Sequence, residues 1–256
     1  QPWRKAMPEA VTLSQHFMQH GYQAIGSGKI YHGNYPDPAS WDKYFPSKTK
    51  TRPHDPSPDG RPLNGIARTR HFDWGPLPVD DEDMADHQVV DWVADQLHRP
   101  HEKPFFLAVG FVRPHMPYTA PKEFFDLYDL DKIKLPHVPD DEMSDIPLMG
   151  KSIAFGTIKI GDHNAVTSLS DTYWQELVYG YLACVSFVDH ELGKVLKALR
   201  ESKYADNTII VLWTDHGQHL GEKKHWRKQA LWEESTRVPL FFKVPGMSKE
   251  GTRSES

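Results

Sequence analysis

Apolar positions along the chain follow two rhythms. From residue 171 to 201, Leu177, Tyr181, Cys184, Val188, Leu192, Val195 and Leu199 recur every three or four positions, the spacing of one buried helix face. Val11, Leu13, Phe17 and Met18 repeat that spacing within residues 8 to 20, between Pro8 and Gly21, which suit the start and the position past the end of a helix. Asp80 to His98 begins acidic and sets Met84, Val89, Val90, Val93 and Leu97 on one broad face, predicting an amphipathic helix. The second rhythm is continuous: FFLAVGF after Pro104, TIIVLW after a turn at Ala205 to Asn207, and VPLFFKV at 238 to 244 read as strands covered on both faces. AIGSGKIYHG predicts a short strand and its loop. Helices alternating with buried strands predict an α/β fold. Between Asn34 and about Pro78 the chain is crowded with Pro, Gly, Ser and Asp and keeps no period, which predicts a long surface excursion. No internal repeat is present.

Composition narrows the picture. At 256 residues and 38% hydrophobic the chain has material for one substantial core, or a core and a small appendage. A formal charge of −5 without a long Lys/Arg run gives no electrostatic footprint for nucleic acid or an anionic membrane. No stretch of about 18 uncharged apolar residues exists to span a bilayer, and the opening QPWRKAMPEA lacks the apolar core of a signal peptide. The single cysteine, Cys184, rules out an internal disulfide and a multi-cysteine zinc site. Its place inside the helical stripe makes it a small buried hydrophobe, not a nucleophile.

Ligands of open α/β sheets collect beyond the carboxyl ends of the strands. Three segments there carry polar residues: GKIYH with Lys29 and His32, FVRPHMPY with Arg113 and His115, and TDHGQHLGEKKHWRK with Asp215, His216, His219, Lys224, His225, Arg227 and Lys228. Together such cations, imidazoles and a carboxylate can hold a tetrahedral oxyanion, polarise it with a metal and supply a proton to a leaving oxygen. His219 and Arg113 are secondary candidates for facing a substrate. Gly217 and Gly221 suit tight turns, Glu222 and Trp226 stiffening of the loop, and Pro114 and Pro117 the path past His115. The pairs Asp162-His163 and Asp189-His190 read as surface residues, as do Asp83 and His87 in the amphipathic helix.

The runs GYQAIGSGKIYH, FFLAVGFVRPHMPYTAPKEFFDLY and WTDHGQHLGEKKHWRKQALWEESTRVPLFF resemble formylglycine-dependent (type I) sulfatases of the alkaline phosphatase superfamily, particularly the iduronate-2-sulfatases. That resemblance implies an alkaline-phosphatase-like sandwich, here incomplete, with a mostly parallel central sheet flanked by helices. It implies sulfate contacts from Lys29 and Lys228, a hydrogen bond from His32 to the nucleophile, and contact of His115 with the sulfate and the departing alcohol. Asp215 and His216 are implied as ligands of a calcium ion, for which a histidine is a less usual ligand. The implied reaction is attack of a hydrated formylglycine aldehyde on sulfur, followed by collapse of a covalent sulfate ester. The implied substrate is a sulfated glycan, specifically the 2-sulfate of a uronic acid in a glycosaminoglycan.

The family's nucleophile motif, C/S-x-P-S/A-R, does not occur in these residues, and neither does its first pair of metal-binding aspartates. Residues 1 to 256 are therefore expected to be an internal part of the catalytic domain, carrying the proline-rich excursion at about 34 to 78 and inactive alone. The resemblance also implies a formylglycine-generating enzyme acting on the parent protein and a periplasmic, secreted or lysosomal setting. Two other readings stand beside it: a phosphatase or phosphodiesterase of the same superfamily, and a noncatalytic protein that binds sulfated glycans.

Overall fold

A computed structural model of the chain describes residues 3–33, 35–57, 60, 62–66, 72–156, 163, 166–167 and 170–253. In chain order the helices are α1 (Trp3–Ala6), α2 (Leu13–Gln19), α3 (Ala85–His98), α4 (Lys122–Phe125), α5 (Leu148–Gly156), α6 (Asp171–Glu201) and α7 (Glu233–Thr236). The strands are β1 (Gln23–Gly28), β2 (Lys43–Phe45), β3 (Trp74–Leu77), β4 (Phe105–Gly110), β5 (Tyr118–Pro121), β6 (Ile210–Trp213), β7 (His219–Leu220), β8 (Trp226–Arg227) and β9 (Leu240–Lys243). A parallel sheet runs β2-β1-β4, and β3 and β5 form a second parallel pair. The predicted α/β architecture with a mostly parallel central sheet is thus present.

The helix expected over 8 to 20 is shorter, because a better cap than Pro8 lies inside it. The Thr12 hydroxyl accepts the Gln15 amide at 3.3 Å while the Gln15 side chain accepts the Thr12 N–H at 3.0 Å, a reciprocal cap that starts α2 at Leu13. Gly21 follows at φ +84°, as expected of a residue just past a helix. α6 runs the full predicted length. It lends Leu177, Cys184 and Phe187 to one core with Trp74, Tyr118, Phe125 and Trp226, and Leu199 to a second with Val89, Val93 and Leu97 of α3. Cys184 is fully buried, and burial pushes its thiol up to about 12.

Three expectations need correction. The described residues of the segment from 34 to 78 do not form a surface excursion throughout: Trp41, Phe72, Trp74 and Leu77 are buried, and they supply two strands. Its aromatic anchors are too widely spaced to show a period, while Asp73 ties the segment down by accepting the Leu63 and Asn64 amides at 3.0 and 2.9 Å. The strands from TIIVLW and VPLFFKV are exposed: β6 and β9 pair antiparallel with each other, and among the described residues of the two strands only Ile210 packs on a core cluster. Third, His87 is buried, where α3 packs against α6. Asp83, Asp189 and His190 do lie on the surface, and Asp162 falls outside the described residues. Among the described residues no helix is long and apolar enough to cross a membrane.

Candidate functional site

β1 and β4 run in register to their ends, so Gly28 stands beside Gly110. A Cβ on Gly28 (φ +80°) would lie 2.0 Å from the Gly110 carbonyl oxygen, and one on Gly110 would lie 2.4 Å from the carbonyl of Lys29. Two glycines are therefore needed for the strand ends to close, and the Lys29 amide then donates to the Gly110 carbonyl at 2.7 Å. That bond fixes the backbone from which Lys29 extends. His32, three residues on, is exposed, its ring 5.6 Å from that of Tyr35.

The loop after β4 carries His115. Asp86, at the start of α3, is buried and accepts the Val112 and Arg113 amides at 2.8 and 3.0 Å. Burial raises its carboxyl to about 6, against the opposing pull of those bonds and of the Arg113 guanidinium. Arg113 does not face a substrate. It is buried, donating to the Thr119 carbonyl at 2.6 Å and hydroxyl at 3.0 Å and pairing with Asp55 at 3.1 Å, so it stitches the loop to β5. Pro114 and Pro117, both preceded by cis peptide bonds, bracket His115.

His115 keeps an exposed edge, yet its pKa is brought down to about 4. Lost solvation is the largest cause, the bond to Met116 opposes it, and Lys29, Lys228 and His216 push further down. Lys29, Lys228 and His216 are thus its electrostatic neighbours. The His115 Nδ1 lies 2.6 Å from the Met116 carbonyl, which can only accept, so Nδ1 carries the proton and Nε2 is the nitrogen left to exchange one. Burial lowers the pKa of Lys29, and Lys228 lowers it further; Asp215 raises those of both lysines. Lys29, His115, Asp215, His216 and Lys228, from three separate segments, therefore share one electrostatic neighbourhood.

His216 shows the same tautomer logic. Its Nδ1 donates to the Gly217 carbonyl at 2.7 Å, leaving the Nε2 lone pair 3.6 Å from Asp215 Oδ1. Two lone-pair atoms facing each other repel unless a cation or proton lies between them, and an imidazole oriented by a backbone carbonyl is how proteins hold metals. The pair fits two ligands of a divalent cation, with the Asp215 side chain 79% exposed and open to receive it. A different cluster, Asp81, His190 and Glu191, also brings ligating atoms within 4.8 Å of one another. There the Lys194 ammonium already sits, 2.5 Å from Asp81, 2.9 Å from Glu191 and 2.9 Å from His87 Nδ1, so that centre carries its own cation.

The loop bearing Lys228 is docked on α6. Trp174 donates to the Leu220 carbonyl at 2.7 Å, and its ring would be 2.4 Å from a Cβ on Gly221 (φ +121°). Gly217 is equally constrained, 2.0 Å from the Glu234 carbonyl oxygen by the same measure. Trp226 does more than stiffen the loop, being buried in the first core. His219 and His225 are buried with ring centroids 4.9 Å apart, so neither faces a substrate; Lys224 is exposed, and Arg227 lies over Phe72 at 5.4 Å. Asp86 and Asp55, which hold the His115 loop, had no signal in sequence: one follows other acidic residues in the first turn of a helix and the other lies in the aperiodic segment.

Comparison with known proteins follows from this geometry. A sulfatase family model matches residues 2–256. A sulfatase of Formosa agariphila is 40% identical over 96% of the chain and 49% of its own length, and the iduronate 2-sulfatase of Mus musculus is 32% identical over 95% of the chain and 47% of its own. The chain spans about half the length of these curated relatives. Among solved structures, a phosphonate monoester hydrolase from Silicibacter pomeroyi superposes with a TM-score of 0.70 at 22% identity, covering 93% of the chain and 53% of that structure, a likeness of fold.

Proposed function

Because this chain belongs to the sulfatase family, we propose that the whole protein hydrolyses sulfate esters of a glycan, and that residues 1 to 256 are an internal part of its catalytic domain. The substrate read from the likeness to iduronate 2-sulfatase is the 2-sulfate of a uronic acid. The observation that carries this reading is the shared neighbourhood of Lys29, Lys228 and His115 beyond the ends of β1 and β4.

Both ammonium groups are half-buried, and lost solvation first and mutual repulsion second are why the pKa of Lys29 falls. An anion placed between them reverses both effects, so the pair is poised for a sulfuryl group and holds the charge gathering on its oxygens. His115 is neutral at pH 7, with its Nε2 free to exchange a proton. Arrival of an anionic ester raises its proton affinity, enabling it to take up a proton and then deliver it to the leaving alcohol. Asp215 and His216 would hold a divalent cation, proposed as calcium, which supplies Lewis-acid polarisation of a sulfate oxygen. The formylglycine that supplies the nucleophile lies outside these residues and requires its own generating enzyme; His32 is assigned to orient it. The proposed setting is periplasmic, secreted or lysosomal.

Peptide mass spectrometry of the whole protein tests the reading. A C/S-x-P-S/A-R peptide whose first residue carries the aldehyde is the expected result. A Thr or unmodified Ser nucleophile beside a second metal site would instead support phosphoester chemistry, and absence of any nucleophile would leave anion binding alone.

A further inference from the structure

Arg52 belongs to the segment that folds back onto the sheet, and its place is fixed by the strand ends. Tyr44 of β2 donates its hydroxyl to the Gly28 carbonyl at the end of β1 and lies 3.3 Å from the Thr51 carbonyl. The Thr51 hydroxyl in turn lies 3.7 Å from where a Cβ of Gly33 would stand, so Thr51, the neighbour of Arg52, lies against the turn that follows Lys29. Burial and the Lys228 ammonium depress the Lys29 pKa, and the Arg52 guanidinium adds to that depression, which sets it in the same field.

The charge arithmetic leaves Arg52 over. Its contact with Asp55 Oδ2 is 3.7 Å, too long for a hydrogen bond. That oxygen already serves the buried Arg113 at 3.1 Å, and Oδ1 accepts the Ala85 amide at 3.2 Å. Among the described residues the Arg52 guanidinium makes no hydrogen bond, and its side chain is 40% exposed. A sulfate monoester carries one negative charge, for which Lys29 and Lys228 suffice. A planar guanidinium with open donors beside them matches the two-oxygen edge of another anion.

We propose that Arg52 is a specificity residue that binds a second anionic group of the substrate, a carboxylate or a further sulfate near the ester that is cleaved. This rests on the sulfate-ester reading above. The test compares the whole protein with its Arg52→Ala and Arg52→Lys variants on four probes: 4-nitrophenyl sulfate, a 2-sulfated uronate disaccharide, its carboxyl-reduced analogue, and the disaccharide with one more sulfate. Arg52→Ala should raise KM on the uronate disaccharide by about 10- to 100-fold more than on 4-nitrophenyl sulfate, with Arg52→Lys between wild type and Ala. Loss of the difference on the carboxyl-reduced probe identifies the carboxylate as the partner; a difference confined to the doubly sulfated probe identifies the sulfate. Equal change on all four probes, or none, overturns the inference while leaving the function intact. Wild-type protein that releases sulfate from no probe overturns both.

Discussion

Replacing Gly110 with alanine probes how the fold places Lys29. The new Cβ would lie 2.4 Å from the carbonyl carbon and oxygen of Lys29 and 2.8 Å from the Ile30 nitrogen, all backbone atoms, against about 3.5 Å for an ordinary contact. No side chain can swing away, so the ends of β1 and β4 must part by about 1 Å. Parting breaks the 2.7 Å bond from the Lys29 amide to Gly110, worth about 1 kcal/mol, and overpacking adds about 1–3 kcal/mol. A loss of about 2–4 kcal/mol lowers the melting temperature by roughly 5–15 °C for a domain of this size. Displacing Lys29 should also weaken inhibition by inorganic sulfate. Gly193 in α6 is the control, since a Cβ there meets nothing within 4 Å and alanine should stabilise the helix by up to about 1 kcal/mol. A Gly110→Ala protein that melts within about 1 °C of wild type and keeps its affinity for sulfate refutes the close-approach argument.

Cys184, fully buried with its thiol pushed up to about 12, should resist a thiol reagent in the native protein and react only on unfolding; rapid native labelling contradicts its core assignment. Lys194→Met strands the fully buried Glu191 without its ammonium and should cost roughly 3 kcal/mol, the low end for breaking a buried pair because Lys194 is partly exposed; a neutral denaturation midpoint would show the network to be dispensable. For His115 the folded pKa is depressed, so its contribution to stability is complete above about 6.5 and is lost as pH falls through about 4. An NMR titration should place its midpoint near 4, moving upward with added sulfate, whereas a midpoint at 6.5 or above means that the surrounding cations and desolvation do not act on it.

Long helices and the glycine-flanked strand β1 were legible because their signals are local: the stripe from Leu177 to Leu199 and the run at Phe105–Gly110 need no knowledge of distant residues. The chemistry-bearing segments were legible for a related reason, since polar residues following an apolar strand must emerge at a sheet's carboxyl edge. What escaped depends on tertiary contacts. His87 looked like one polar residue among many, and only the packing of α3 on α6 buries it beside Glu191. Arg113 carried the same charge as a substrate-facing arginine, yet Thr119 and Asp55 consume its donors. The segment around Trp41 and Trp74 buries aromatics without periodicity, so neither its burial nor the position of Arg52 was readable. Exposure of Phe241 and Trp213 likewise reflects which elements pair, not how apolar the strands are.

The most direct test is sulfate release by the whole protein from a 2-sulfated uronate disaccharide, followed by ion chromatography beside its Lys228→Ala variant. The account predicts steady turnover by the wild type and a loss of about 100-fold or more in the variant. Turnover that survives the substitution unchanged, or release of phosphate from phosphoesters with none of sulfate, would contradict it.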